Sequence, residues 1–435
     1  MVSVRQRRLA EGAIGLQDDR KQVRAWVMYD WANSAFATTI MAAVMPIYFV
    51  KAIGGTDADW GFTQTAAALV IALLSPLLGA MADRAGNKKS YLRIFTFIGA
   101  AASVCMALPG KGDVLFVSLL VVVGMIGFGG AGNFYDALLN DVASPANRER
   151  VSARGFAMGY LGGGLLLAVN LLMILKPTWF GLPAEGSAPS QISFVMVGIW
   201  WLLFSIPIFR HVRERPVAEA ARRRNQVAEG VKRLAQTLRE ISHYPELLKY
   251  MIAYWFLFDG INTVIVMAAS YGTTIGIEST HLITALLITQ FIGFPATVAF
   301  GALASRVGGK RMLYGSLMMY LIIVVLGFFM KNALHFYILA ALVGLVQGGS
   351  QATARAIYSR LIPPDRTAEF NGFLTFTSRL ISFMGPLMFA LVKVFTDSSR
   401  YAILAVAFFF VVAMAVLTFV NTAKGEREAI RPFAG

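Results

Sequence analysis

Apolar runs, each about as long as a bilayer is thick, recur along the whole chain between short polar breaks. They predict transmembrane helices at about 25–50, 60–82, 90–109, 113–138, 153–176, 191–210, 247–275, 281–304, 311–330, 334–357, 369–395 and 400–421. The runs are continuous rather than alternating, which argues against a β-barrel. A polar break at 211–246 separates six spans from six. Within it Val227, Val231, Leu234, Leu238 and Ile241 fall at helical spacing among Arg and Lys, the pattern of an amphipathic helix lying on a surface. Such a helix senses lipid or simply tethers the halves. The predicted organisation is an arm at 1–24, a six-helix half at 25–210, the linker at 211–246, a second half at 247–421 and a tail at 422–435.

Composition agrees. Of 435 residues, 57% are hydrophobic and 14% charged, where a soluble protein carries roughly 25% charged residues. The net charge of +15 invites a nucleic-acid partner. The basic residues fall at alternate helix ends instead, so no nucleic acid is expected and the lipid bilayer is the partner. Arg20, Lys21 and Arg24, then Arg84, Lys88 and Lys89, then Arg148, Arg150 and Arg154 share one side with the basic linker. The other side holds little beyond Lys51, Lys111, Lys176, Lys331, Lys393 and Arg400. By the positive-inside rule both termini are expected in the cytoplasm, with the protein multi-pass in a cytoplasmic (inner) membrane. No cleavable signal peptide is expected. The single cysteine, Cys105, excludes an intrachain disulfide, and the four histidines do not cluster, so no metal site is expected. No nucleophile–base pair or nucleotide motif stands out, so neither an enzyme nor ATP drive is expected.

The chain repeats itself. "YDWANS" (29–34) and "FDGINT" (258–263) both read aromatic-Asp-x-x-Asn-hydroxyl. "GAMADRAGNKK" (79–89) aligns without a gap on "GALASRVGGKR" (301–311), and "PANRERVSARGF" (145–156) matches "PPDRTAEFNGF" (363–373). The offsets are nearly equal, so the chain is two homologous six-helix halves, a duplication typical of secondary transporters.

Asp30 lies about 9 Å into its helix from Arg24, and Asp259 roughly 18 Å into span 7, at 1.5 Å per residue. An ionisable group at the centre of a bilayer costs about 2.5–3.5 kcal/mol on insertion scales. Asn33 and Asn262 follow at i+3 on the same faces. Asn133, Asp136 and Asn140 make one polar stripe on span 4, and Gln347, Gln351 and Arg355 another on span 10. Arg379 stands about 16 Å into span 11. It needs an anion, which is Asp259, Asp30 or a substrate carboxylate; a permanent structural salt bridge is the plainer alternative. The glycines of "GFGGAG" (127–132) and "GYLGGG" (159–164) are expected to pack spans 4 and 5 closely.

Twelve spans in paired halves, with G-x-x-x-D-R-x-G-x-K-K between spans 2 and 3, resemble the major facilitator superfamily. More narrowly, "YDWANSAFATTI" and "NFYDALLNDVA" resemble the branch of fungal vacuolar amino-acid effluxers and their bacterial relatives. Ser305 departs from the pattern, replacing the acidic residue of the second loop motif. The resemblance implies an all-α membrane protein of twelve transmembrane helices in two pseudo-symmetric six-helix bundles. In that superfamily spans 1, 4, 7 and 10 line the central cavity. Asp30, Asn33, Asn133, Asp259, Asn262, Gln347, Gln351 and Arg379 are therefore the expected substrate or proton site. Asp83, Arg84, Lys88, Asp136, Asp141, Arg148, Arg306 and Arg355 are the expected cytoplasmic gate, with Lys88 and Lys89 facing headgroups and cytosol.

The implied function is secondary transport of a small solute, an amino acid or similar zwitterion. Arg379 would hold its carboxylate and Asp30 or Asp259 its ammonium group. The coupling ion is H+, carried on one of those acids, or Na+ in a sugar symporter, since Asp with nearby Asn also suits a Na+ site. No other cofactor is expected, and the protein is expected to work as a monomer. A non-transporting solute receptor is the alternative of another class.

Overall fold

The computed structural model describes residues 18–84, 87–144, 147–183, 185–214, 241–363 and 367–430. The predicted amphipathic helix of the linker falls almost wholly outside them. Helices lie on all twelve predicted spans. The first six are α1 (Arg20–Ile53), α2 (Asp57–Arg84), α3 (Lys88–Cys105), α4 (Val114–Val142), α5 (Arg148–Leu175) and α6 (Ala188–His211). The next four are α7 (Pro245–Thr274), α8 (Ser279–Val307), α9 (Gly309–Phe328) and α10 (Ala333–Leu361). Then come α11 in two pieces (Thr367–Ile381 and Met384–Thr396), α12 (Ser399–Thr418) and a short α13 (Thr422–Ile430). Among the described residues ten helices are long and apolar enough to cross a membrane.

Local chemistry sets the ends and breaks. The Asp19 carboxylate caps α1, accepting from the backbone N–H groups of Lys21 and Gln22 at 2.6 and 3.1 Å. Over Phe36–Ala43 the helix widens to π geometry, and Thr38 bridges the loosened turns to Gly163 O of α5 at 3.2 Å. Gly54 closes α1 at φ 89, a left-handed cap that suits glycine. Span 11 reads as continuous in sequence but breaks after Ile381. Pro386 has no N–H to give to Ser382 O, so the ladder stops and a new helix starts at Met384.

The described residues fall into two compact units, one drawn from Met1–Met45 and Leu73–Gly230, the other from Pro46–Ala72 and Val231–Gly435. Packing repeats between them: α1 on α5 and α6, with α3 on α4, recurs as α7 on α11 and α12, with α9 on α10. The stretch 46–72 belongs with the second unit. There the Trp60 indole donates to Val266 O of α7 at 2.9 Å, and Gly61 lies against Ala390 and Pro386 of α11.

The glycine runs do pack helices closely, but not spans 4 and 5 together. Gly127 and Gly130 of α4 press on Gly99 and Phe95 of α3, while Gly159, Gly162 and Gly163 of α5 press on α1 from Asp30 to Thr38. Each run thus serves its own neighbour. A Cβ on Gly127 would meet the backbone of Gly99, whereas one on Gly132 meets nothing within 4 Å. Gly127→Ala is expected to destabilise the protein by about 1–3 kcal/mol. Gly132→Ala should be neutral or slightly stabilising, because alanine is the better helix former. Melting temperatures of the two purified variants check this, and equal behaviour would contradict the packing.

Candidate functional site

In the first unit Asp30 sits where α1, α4 and α5 meet. The aromatic residues before it pin α1. Trp26 stacks on Tyr135 of α4 at 4.2 Å between centroids and donates to Tyr135 O at 3.0 Å. Tyr29 shares a 2.9 Å hydrogen bond with Thr96 of α3 and accepts from the Trp201 indole of α6 at 3.3 Å. The half-buried Asp30 carboxylate faces Gly155 of α5. A Cβ there would stand 3.0 Å from both Asp30 Oδ2 and the Tyr135 hydroxyl. Gly155 and Gly159 therefore keep open the space around the acid. Asn33, one turn on, is buried. Asn133 is half-buried and Asp136 exposed on α4, and the Asn140 side chain lies outside the described residues.

In the second unit the matching acid has a different anchor. Asp259 is 2% exposed. Its Oδ2 accepts the backbone N–H of Gly385 at 2.9 Å, and its Oδ1 is buried without a hydrogen-bond partner. Gly385 is the second residue of the rear piece of α11. The break in α11 thus aims a helix N-terminus at the carboxylate, where free N–H groups and the macrodipole both favour an anion. A Cβ on Gly385 would strike Thr263 and come within 3.1 Å of Asp259 Oδ1. One turn earlier the Trp255 indole donates to Thr377 of α11 at 3.1 Å. Two hydrogen bonds therefore bracket the α7–α11 crossing, and Arg379, half-buried, lies on α11 between them.

The remaining expected site residues of the second unit are Asn262, Gln347 and Gln351, all half-buried. Arg355, exposed, lies 5.8 Å from the centroid of Phe258, a cation–π distance. Asp30 and Asn33 thus belong to one unit, and Asp259, Asn262, Gln351 and Arg379 to the other.

The expected gate is described in part. The side chains of Asp83, Arg84 and Arg148 lie outside the described residues, and Arg306 is exposed at the end of α8. Lys88 does not face headgroups. Its ammonium group pairs with the buried Asp141 of α4 at 2.9 Å. Lys89 also turns inward, to Phe209 O of α6 at 3.4 Å. The backbone N–H groups of both lysines donate to Glu214, at 2.6 and 2.9 Å, so a carboxylate just past α6 caps α3. A buried acid on α4 and unsatisfied N–H groups at a helix start pull these residues in.

Sequence reasoning passed over three residues. Gly155 and Gly385 shape the surroundings of the two acids, as does Gly159 of the run expected to pack closely, yet a glycine in an apolar run carries no chemical signal of its own. Asp57, at the start of α2 and fully buried, lies beside Ser399 and near Lys393. Its only sequence signal is an acid just before an apolar run, which any helix start can show.

A profile of the family described as "Vacuole effluxer Atg22 like" matches residues 140–430. The chain is 37% identical over 407 residues to an uncharacterized MFS-type transporter, YxiO, of Bacillus subtilis, covering 92% of this chain and 95% of that one. It is 22% identical over 491 residues to autophagy-related protein 22 of Kluyveromyces lactis, covering 97% of each. Among solved structures it resembles the nucleoside transporter NupG (TM-score 0.65, 14% identity, 92% of this chain and 98% of that one). It resembles a D-xylose-proton symporter about as well (TM-score 0.67, 16% identity, 93% and 98%). These two likenesses concern the fold alone.

The Lys88–Asp141 pair gives a test. Lys88→Met strands a buried carboxylate and is expected to destabilise the protein by about 3–5 kcal/mol, and adding Asp141→Leu should restore most of the loss. Chemical denaturation of the two single variants and the double variant measures the coupling. Additive losses would mean that the pair is not a unit.

Proposed function

Because the chain belongs to the Vacuole effluxer Atg22 like family of major facilitator transporters, we propose that it carries an amino acid or similar zwitterion across a cytoplasmic membrane, by alternating access driven by protons. The observation that carries this reading is the α7–α11 crossing. A buried carboxylate, Asp259, and a guanidinium, Arg379, lie on two contacting helices within one unit, bracketed by the Trp255–Thr377 and Asp259–Gly385 bonds. A zwitterion presents the complementary pair of charges. Arg379 takes the solute carboxylate in a planar fork, which a lysine cannot offer.

Protons suit the second acid function. Asp259 Oδ1 is buried without a hydrogen-bond partner, and Oδ2 has one backbone donor. A proton on Oδ1 removes the charge and leaves the Gly385 bond in place. The acid can then load and release a proton without dismantling the crossing. Both termini face the cytoplasm in this reading, as the distribution of Lys and Arg suggests.

In proteoliposomes preloaded with unlabelled solute, labelled amino acids should exchange faster than sugars or nucleosides. Net accumulation should follow an imposed pH gradient and collapse with a protonophore. Faster exchange of a sugar, or accumulation driven by Na+ alone, would replace this reading. In a binding assay Arg379→Lys should weaken the amino acid about tenfold, the worth of one charge-assisted hydrogen bond; unchanged affinity would remove Arg379 from the site.

A further inference from the structure

The start of α1 concentrates positive charge that has few anionic partners among the described residues. The sequence there is Asp18-Asp19-Arg20-Lys21-Gln22-Val23-Arg24. Both aspartates hold N–H donors of their own, although Asp18 also borders one of the hollows described below. Asp19 caps the helix, and Asp18 accepts from Ser144 N at 3.2 Å and from the Asn147 amide at 3.0 Å. Hydrogen bonding by the Ser144 side chain, then by Asn147, holds the Asp18 carboxyl below the usual carboxylate range. Gln22 is also taken, accepting Arg213 N at 2.9 Å. Arg20, Arg24 and Arg154 of α5 have no ion pair or hydrogen bond among the described residues, and all three are exposed.

These arginines line two hollows on either side of α1. One, of about 390 Å³ against α5, has Arg20, Arg24 and Arg154 over Val23 and Val151, with Asp18 and Asn147 at its rim, so three cations face one carboxylate there. The other, of about 450 Å³ against α6, has Arg20, Lys21 and Arg24 over Met28 and Pro207. Arg20, Arg24 and Met28 are spaced four apart, so one stripe of α1 runs from cationic to apolar within about 12 Å. Guanidinium forks match phosphate oxygens in pairs. A free phosphate would use the cations and leave the apolar floor bare, whereas a phospholipid fills both. Basic residues at this end of the bundle also face the leaflet that carries anionic lipid, by the positive-inside rule.

We propose that Arg20 and Arg24, which line both hollows, bind the phosphate headgroup of an anionic phospholipid, with Arg154 reaching it from the α5 side and the acyl chain running along Met28 and Pro207 on the α6 side. Such a lipid would hold α1 six residues before Asp30.

The test uses the full chain in neutral detergent, with phosphatidylglycerol, phosphatidylcholine or inorganic phosphate added. Native mass spectrometry counts bound lipid, and melting temperature reports stabilisation. Phosphatidylglycerol should bind and raise the melting temperature more than phosphatidylcholine, and millimolar phosphate should neither stabilise nor compete. Each Arg→Ala change should weaken phosphatidylglycerol about fivefold, and the triple variant about a hundredfold. Lys111→Ala, Lys176→Ala and Lys331→Ala together should change nothing. If the triple variant does not fold, Arg154→Ala alone and the three Arg→Lys changes carry the test, since loss of the fork should weaken binding with charge retained. Unchanged phosphatidylglycerol binding in these variants overturns the site. Equal effects of phosphatidylcholine would make the hollows merely apolar, and protection by phosphate would make them a site for a free anion; either result overturns the lipid assignment.

Discussion

Taking a carboxylate out of water and holding it among apolar helices is the constraint around which both units are built. A buried charge is tolerated only where N–H groups or cations meet it. Asp259 is met by the backbone of α11, and this requires α11 to end and restart at Gly385. Pro386 supplies the break, and glycine supplies the close approach that any side chain at 385 would block. Asp30 has the same kind of neighbour in the first unit, a glycine of α5, with the Tyr135 hydroxyl nearby. The fifth helix of each half thus carries the glycine, and the first carries the acid. The duplicated hexapeptides mark one half of a duplicated contact.

Much of this was legible in the sequence. The spans follow from length and apolarity, because hydrocarbon allows little besides helices. The halves follow from three motif pairs at nearly equal offsets. Less legible was partner choice. "GFGGAG" and "GYLGGG" announce close packing without saying against what, and they turn to α3 and α1 respectively. Lys88 looked like one more cytoplasmic cation, yet the buried Asp141 claims it. Arg379 was the conspicuous residue of span 11, but the atom that reaches Asp259 is a backbone nitrogen six residues later. Backbone donors leave no trace in a sequence.

The basic ends of the two units answer one problem with different residues. In the first, Glu214 caps α3 and the Lys89 ammonium donates to a carbonyl near the end of α6. In the second, the Lys310 ammonium donates to Val420 O at 2.5 Å, just past α12. There Glu246, buried at the start of α7, gathers Lys249, Lys424 and the Asn421 N–H, which fastens α13 under the unit. Helix ends that would otherwise expose carbonyls or N–H groups at the interface are closed by charges drawn from the loops. Arg20, Arg24 and Arg154 have no such partner among the described residues.

The central claim is that the acid at the α7–α11 crossing serves transport rather than merely holding the fold. Asparagine at position 259 keeps an oxygen for the Gly385 N–H and removes the titratable charge. The direct measurement is uptake driven by a pH gradient in proteoliposomes of Asp259→Asn, alongside its melting temperature and its solute exchange without a gradient. The expected result is a folded protein with a melting temperature near that of the wild type, which has lost gradient-driven accumulation. Wild-type accumulation by a well-folded Asp259→Asn protein would contradict the claim.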